Sequence, residues 1–183
     1  MKDTLRVILL FALGACSTAV TTDADGARVA DLNAPVSLPT GVHDVLAGAS
    51  EMKLFAIHPF LHPPAKEDRV DAALFHFYTI LGQASLSEES MRCELVDTLY
   101  KGIEASRGDV AMCFSPRHGL RAEHKGHQVD FVICYECLSM EIHLDGVRHR
   151  VLTGQAAGAA LTKIYEGAGL SIHSGKDTGS EDR

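Results

Sequence analysis

The 183-residue sequence predicts an α+β fold, an antiparallel β-meander with one or two helices packed on one face. Three observations carry this expectation. From Asp109 onward apolar residues recur every second position, and the runs are punctuated by Lys125-Gly126 and Asp145-Gly146, both hairpin-turn signals. SEESMRCELVDTLYKGIEASRG instead repeats with helical spacing. AAGAALTKIYEGAG does so more weakly.

The elements follow in order. KLFAIHP reads as a strand closed by Pro59, and a loop follows that is broken by Pro63 and Pro64. ALFHFYTILGQASL reads as one or two strands, with Leu74, His76, Tyr78 and Ile80 on one face and Gly82 at a bulge or bend. In the first helix Ser87 can act as cap, and Glu88 and Glu89 suit the positive end of the dipole. Met91, Leu95, Leu99 and Ile103 form its apolar face, with Cys93 beside them as a small buried residue. DVAMCF is then expected as a strand. GLRAEHKGHQVDFVICYE and MEIHLDGVRHRVLTG are expected as hairpins, the second placing Glu141 opposite Arg150. In the second helix Ala157, Ala160, Leu161 and Ile164 share a side.

The chain's start speaks of location. Lys2 and Arg6 precede VILLFALGA, a short apolar run, and Cys16 follows. This is the layout of a secretory signal, since a membrane span needs about 20 apolar residues. Leu13-Gly14-Ala15-Cys16 resembles the lipobox of bacterial membrane lipoproteins. The resemblance implies that Cys16 becomes the lipidated first residue of the mature chain. Ser17 after it, in place of Asp, implies sorting to the outer membrane, facing the periplasm, where there is one. The organisation read from the sequence is a signal peptide at 1–15, a lipid anchor and flexible tether at 16–50, a globular domain at 51–173 and a disordered tail at 174–183.

Composition bounds the chemistry. With 46% hydrophobic and 22% charged residues the chain can bury a core, which must do without tryptophan. A net charge of −7 and no basic run argue against nucleic acid as a partner. Paired carboxylates at catalytic spacing, a nucleophile elbow, a P-loop and a dinucleotide fingerprint are absent from the sequence.

Chemistry-bearing residues concentrate in MCFSPRHGLRAEHKGHQVDFVICYEC, residues 112–137, which holds three of the five cysteines. In one regular strand Cys134 and Cys137 would point to opposite faces and could neither bond nor share a metal. The apolar phase, however, slips from odd positions (Val129, Phe131, Ile133) to even ones (Leu138, Met140, Ile142), which predicts a β-bulge between Tyr135 and Leu138. Four readings stand side by side. Export favours a disulfide, with the hairpin bringing Cys113 near Cys137 or Cys134. Cys113, His118, Cys134 and Cys137 also make a possible Cys₃His zinc set. The CxxC could be a redox dithiol, although such pairs usually open a helix. Otherwise the cysteines are small buried residues. A cysteine nucleophile served by His118 and helped by Arg117 is a variant of these readings, and it lacks an orienting third group.

Cys113-Phe114-Ser115-Pro116-Arg117-His118-Gly119 followed by Cys134-Tyr135-Glu136-Cys137 resembles a pattern in an uncharacterised group of bacterial proteins, many of them exported. The resemblance spans roughly residues 54–154, with Tyr135 standing where that pattern has Phe. It implies a recurring site without naming its chemistry. Together these readings point to a lipid-anchored envelope protein that binds an envelope protein or small ligand or is structural, ahead of a catalytic role, and with no cofactor. The second reading is a zinc or thiol-redox protein using the Cys113, His118, Cys134 and Cys137 group.

Overall fold

A computed structural model describes residues 38–61, 73–109 and 111–173. Cys16, the signal and lipobox, most of the tether and the C-terminal tail lie outside the described residues. The fold is α+β. A curled, seven-stranded antiparallel sheet carries three helices.

The strands are β1 (Met52–Ile57), β2 (Leu74–Phe75), β3 (Tyr78–Leu86), β4 (His118–His124), β5 (His127–Cys134), β6 (Ser139–Leu144) and β7 (Val147–Leu152). The helices are α1 (Val42–Gly48), α2 (Glu89–Glu104) and α3 (Gly158–Gly167), the last led by a 3₁₀ turn at Gln155–Ala157. The sheet order is β2-β3-β1-β4-β5-β6-β7. β3 and β4 flank β1 and both run antiparallel to it, so they are parallel to each other and need a crossover. That crossover carries α2, which therefore lies across the sheet.

Strand parity sorts the two faces. Leu120 and Ala122 of β4, Val129, Phe131 and Ile133 of β5, and Met140 and Ile142 of β6 face the helices. They meet Leu95, Leu99, Leu161 and Tyr165 in the main core. Full burial of one such aliphatic or aromatic side chain stabilises by about 1.5–3 kcal/mol. The opposite face is also covered. Phe55, Ile57, Phe75, Tyr78 and Val132 form a smaller cluster, with Phe114 packed against it. Phe75 stacks on Phe55 with 4.4 Å between centroids. Gly119 makes this possible, because a Cβ there would meet the Phe75 ring at 2.8 Å.

Several expectations need correction. The tether ends earlier than residue 50: Val42, Val45 and Leu46 of α1 are buried in the main core, so the domain begins in what composition alone marks as linker. DVAMCF is not a strand. The described residues 111–117 are irregular, Pro116 offers no backbone donor, and Phe114 lies over the second face instead. ALFHFYTILGQASL forms two strands, within the expected one or two, but the turn at His76 and Phe77, with φ of 47° and 74°, breaks the expected shared face of Leu74, His76, Tyr78 and Ile80: Tyr78 pairs with Phe75 and packs on its side. An irregularity does fall beside Gly82, where Ala56 pairs with Gly82 but Ile57 with Ile80. α2 is preceded by Glu88 with no side-chain cap, and Cys93 and Met91 are only half-buried. Ala160 is exposed.

The two marked hairpins form in the expected registers, with His124 opposite His127 and Glu141 opposite Arg150. Both turns use positive φ, at Lys125 and Gly126 and at Asp145 and Gly146. Glu141 nevertheless makes its ion pair with Arg148, at 3.4 Å, while Arg150 donates to Ser139 Oγ at 3.1 Å. The phase slip after Ile133 is not a bulge. β5 ends at Cys134, and residues 135–138 turn the chain into β6, with Leu138 at a φ of 53°.

Candidate functional site

That turn brings the cysteines together. Cys134 closes β5 on the second face of the sheet, and three residues later Cys137 has swung back beneath it. The two are paired as a disulfide. The parity argument for opposed thiols fails because the strand ends at the first cysteine. Cys113 approaches from the irregular segment before β4, and its Sγ lies 2.8 Å from Cys137 Sγ. Three sulfurs thus stand in series, Cys113, Cys137, Cys134. Two backbone amides point into the row: Ser115 N–H donates to Cys137 Sγ and Cys137 N–H donates to Cys134 Sγ, each at 3.2 Å. Access is graded along it. Cys113 is exposed, whereas Cys137 and Cys134 are 0% and 2% exposed.

A cavity of about 510 Å³ opens beside this row. Cys134, Arg117, His118, Glu136, Thr162 and Glu166 are among its walls. Arg117 is positioned at both ends of its residue. Its backbone bridges β5 and β1, donating to Ile133 O and accepting from Ile57 N–H, and its Nη1 pairs with Glu136 Oε2 at 2.7 Å. Arg117 Nε is buried without a hydrogen-bond partner.

His118 occupies the other face of β4, where its register partner is Ile133 and its neighbours are helical. Its Nε2 shares a hydrogen bond with Thr162 Oγ1 at 3.1 Å, and its ring meets Tyr165 edge-on at 4.9 Å. Burial, with the Arg117 charge next to it, pushes its pKa down to about 4, so the ring is neutral at physiological pH. The four expected site residues are therefore divided: the three cysteines converge, and His118 turns toward α3. Among the described residues, no group of three or more His, Cys, Asp and Glu side chains is arranged to hold a metal ion.

A second polar group went unrecognised in the sequence. Asp130 of β5 is 1% exposed and lies under the His76-Phe77 turn. Arg121 Nε and Nη2 donate to its two oxygens at 2.8 and 2.7 Å, as a fork. His76 Nε2 and Gln128 Nε2 add bonds at 2.8 and 3.1 Å. Burial alone would raise the Asp130 pKa, but hydrogen bonds from Arg121 and His76 outweigh it and hold the carboxyl below its ordinary value. The His76 ring stacks on His143 at 3.8 Å. Burial and the neighbouring His76 lower the His143 pKa. The positive φ at His76 and at Phe77, which is 76% exposed, is costly for residues with a Cβ and holds His76 over the carboxylate. The signal was available: counting out from Lys125-Gly126 puts Arg121 opposite Asp130.

Among the described residues no helix is long and apolar enough to cross a membrane. Compared with known proteins, the chain matches no family model, no curated protein and no solved structure.

Proposed function

We propose that this chain is a cell-envelope protein, held by lipid on Cys16 to a bacterial membrane, whose domain carries a thiol–disulfide exchange site. The observation that favours a reactive site over a purely binding or structural module is the 2.8 Å approach of the exposed Cys113 sulfur to the buried Cys134–Cys137 pair. Exchange requires a thiolate, a disulfide sulfur within reach and a route for the partner. Cys113 supplies the first and third, and Cys137 the second. The reaction class is oxidation of a partner's dithiol, with two electrons and two protons passing to the site.

Two experiments test this reading. Alkylation of the purified mature domain under denaturing conditions, without reductant, should find one free thiol among Cys113, Cys134 and Cys137 and should find three after reduction. Stoichiometric zinc with all three thiols titratable would replace exchange by a metal site. For the anchor, Cys16→Ser should abolish lipid-dependent processing and release the protein from the membrane fraction. Unchanged fractionation would remove the anchor from the proposal.

A further inference from the structure

We infer that the buried disulfide reacts by internal exchange, with Cys137 as the shared central sulfur and Cys134 as the leaving group. This inference rests on the exchange site proposed above and specifies its route. The difficulty it resolves is one of access. An external thiolate cannot reach Cys134 or Cys137, which are 2% and 0% exposed, yet the oxidising equivalent is stored between them. Cys113 is exposed and already in contact with Cys137 Sγ.

The first step is an isomerisation. Deprotonated Cys113 Sγ attacks Cys137 Sγ, a bond forms between them, and the Cys134–Cys137 bond breaks with its electron pair leaving on Cys134. The proton lost from Cys113 is taken up by Cys134 or by solvent, and no oxidant is consumed. In the second step a partner thiolate attacks Cys113 Sγ at the surface and Cys137 leaves as thiolate. In the third, the partner's second thiol displaces Cys113, leaving three reduced cysteines and an oxidised partner.

The amides explain why Cys134 is the leaving sulfur. Cys137 N–H already donates to Cys134 Sγ, and that donor stabilises a sulfur most when it becomes a thiolate. Ser115 N–H, donating to Cys137 Sγ, fixes the segment that carries Cys113 over its target. Cys134 also shares a cavity wall with Arg117, whose guanidinium is paired with Glu136. Ser115 is a positioning residue in this scheme, acting through its effect on the sulfurs.

The test uses the full mature chain, with folding of each variant checked by circular dichroism. Acid-quenched, alkylated wild-type protein should yield, on non-reducing peptide mapping, both Cys134–Cys137 and Cys113–Cys137 linkages without any added redox reagent. Cys134→Ser should lock the surface bond and Cys113→Ser the buried one. Dithiothreitol should reduce the former roughly tenfold faster or more, because only that bond is accessible. If Cys113→Ser slows reduction but no Cys113–Cys137 linkage ever forms, in wild type or in Cys134→Ser, this route is overturned and the exchange site stands. If Cys113→Ser is reduced as fast as wild type, the exchange site itself falls, and the route with it.

Discussion

Asp130→Ala is expected to lower the stability of the domain by about 3–5 kcal/mol, the usual cost of removing one partner from a buried ion pair. The size follows from what is left behind. Arg121 loses both bonds of its fork, and His76 and Gln128 lose an acceptor that is itself only 1% exposed. Arg121 stays one-third exposed, over the Phe75 ring at 5.5 Å and within the field of the Glu123 carboxylate, so part of its own loss is recovered. The His76-Phe77 turn would then keep its unfavourable backbone geometry without the bond that holds it in place. Urea denaturation measures the change, and a loss under about 1 kcal/mol would show that the group is effectively solvated. A double replacement, Asp130→Leu with Arg121→Met, should recover much of the loss, because paired charges are costly to bury and an apolar pair of similar volume is not. The same carboxylate predicts acid sensitivity. Its folded pKa lies below its unfolded value, so its contribution is complete above the ordinary carboxylate range and is lost as pH falls through the lowered folded pKa.

Local pattern reached some of these features and could not reach others. The Asp145-Gly146 and Lys125-Gly126 turns were readable because a two-residue hairpin fixes its own register, and every pairing outward follows by counting. The same counting matches Arg121 to Asp130, and the charge within VDFVI marks the pair. α1 was hidden for a different reason. VHDVLAG is too short to establish a helical period, and its burial depends on a sheet built from residues far along the chain. The segment before β4 has the alternation of a strand, but Pro116 and the packing of Phe114 on the second face outweigh it. For CYEC, the phase slip is real, and a turn causes it in place of the expected bulge. A bulge and a tight turn shift parity alike, and only the turn places Cys137 against Cys134. Convergence of Cys113 on that pair depends on tertiary packing of an irregular segment, which periodicity does not encode.

His118 governs a second acid window, above that of Asp130. Its folded pKa of about 4 lies below the unfolded value near 6.5, so the unfolded chain binds the extra proton first. Stability from this residue is therefore complete above pH 6.5 and declines as pH falls toward 4. At pH 5 the expected loss relative to pH 7.5 is on the order of 2 kcal/mol. Protonation would place a cation between Tyr135 and Tyr165, beside Arg117, with only the Thr162 hydroxyl to receive a hydrogen bond from it. His143, also held below its ordinary value, adds a change of the same sign. His118→Phe keeps a ring against Tyr165 and removes the titration. It should be less stable than wild type at pH 7.5 through the lost Thr162 bond, and its stability should fall less between pH 7.5 and 5, leaving mainly the His143 share. Parallel decline in the two proteins would place the sensitivity elsewhere. Since His118 and Cys134 line one cavity from opposite faces of the sheet, the same protonation should also disturb that cavity. Exchange should then slow below pH 5 more steeply in the wild-type protein than in His118→Phe.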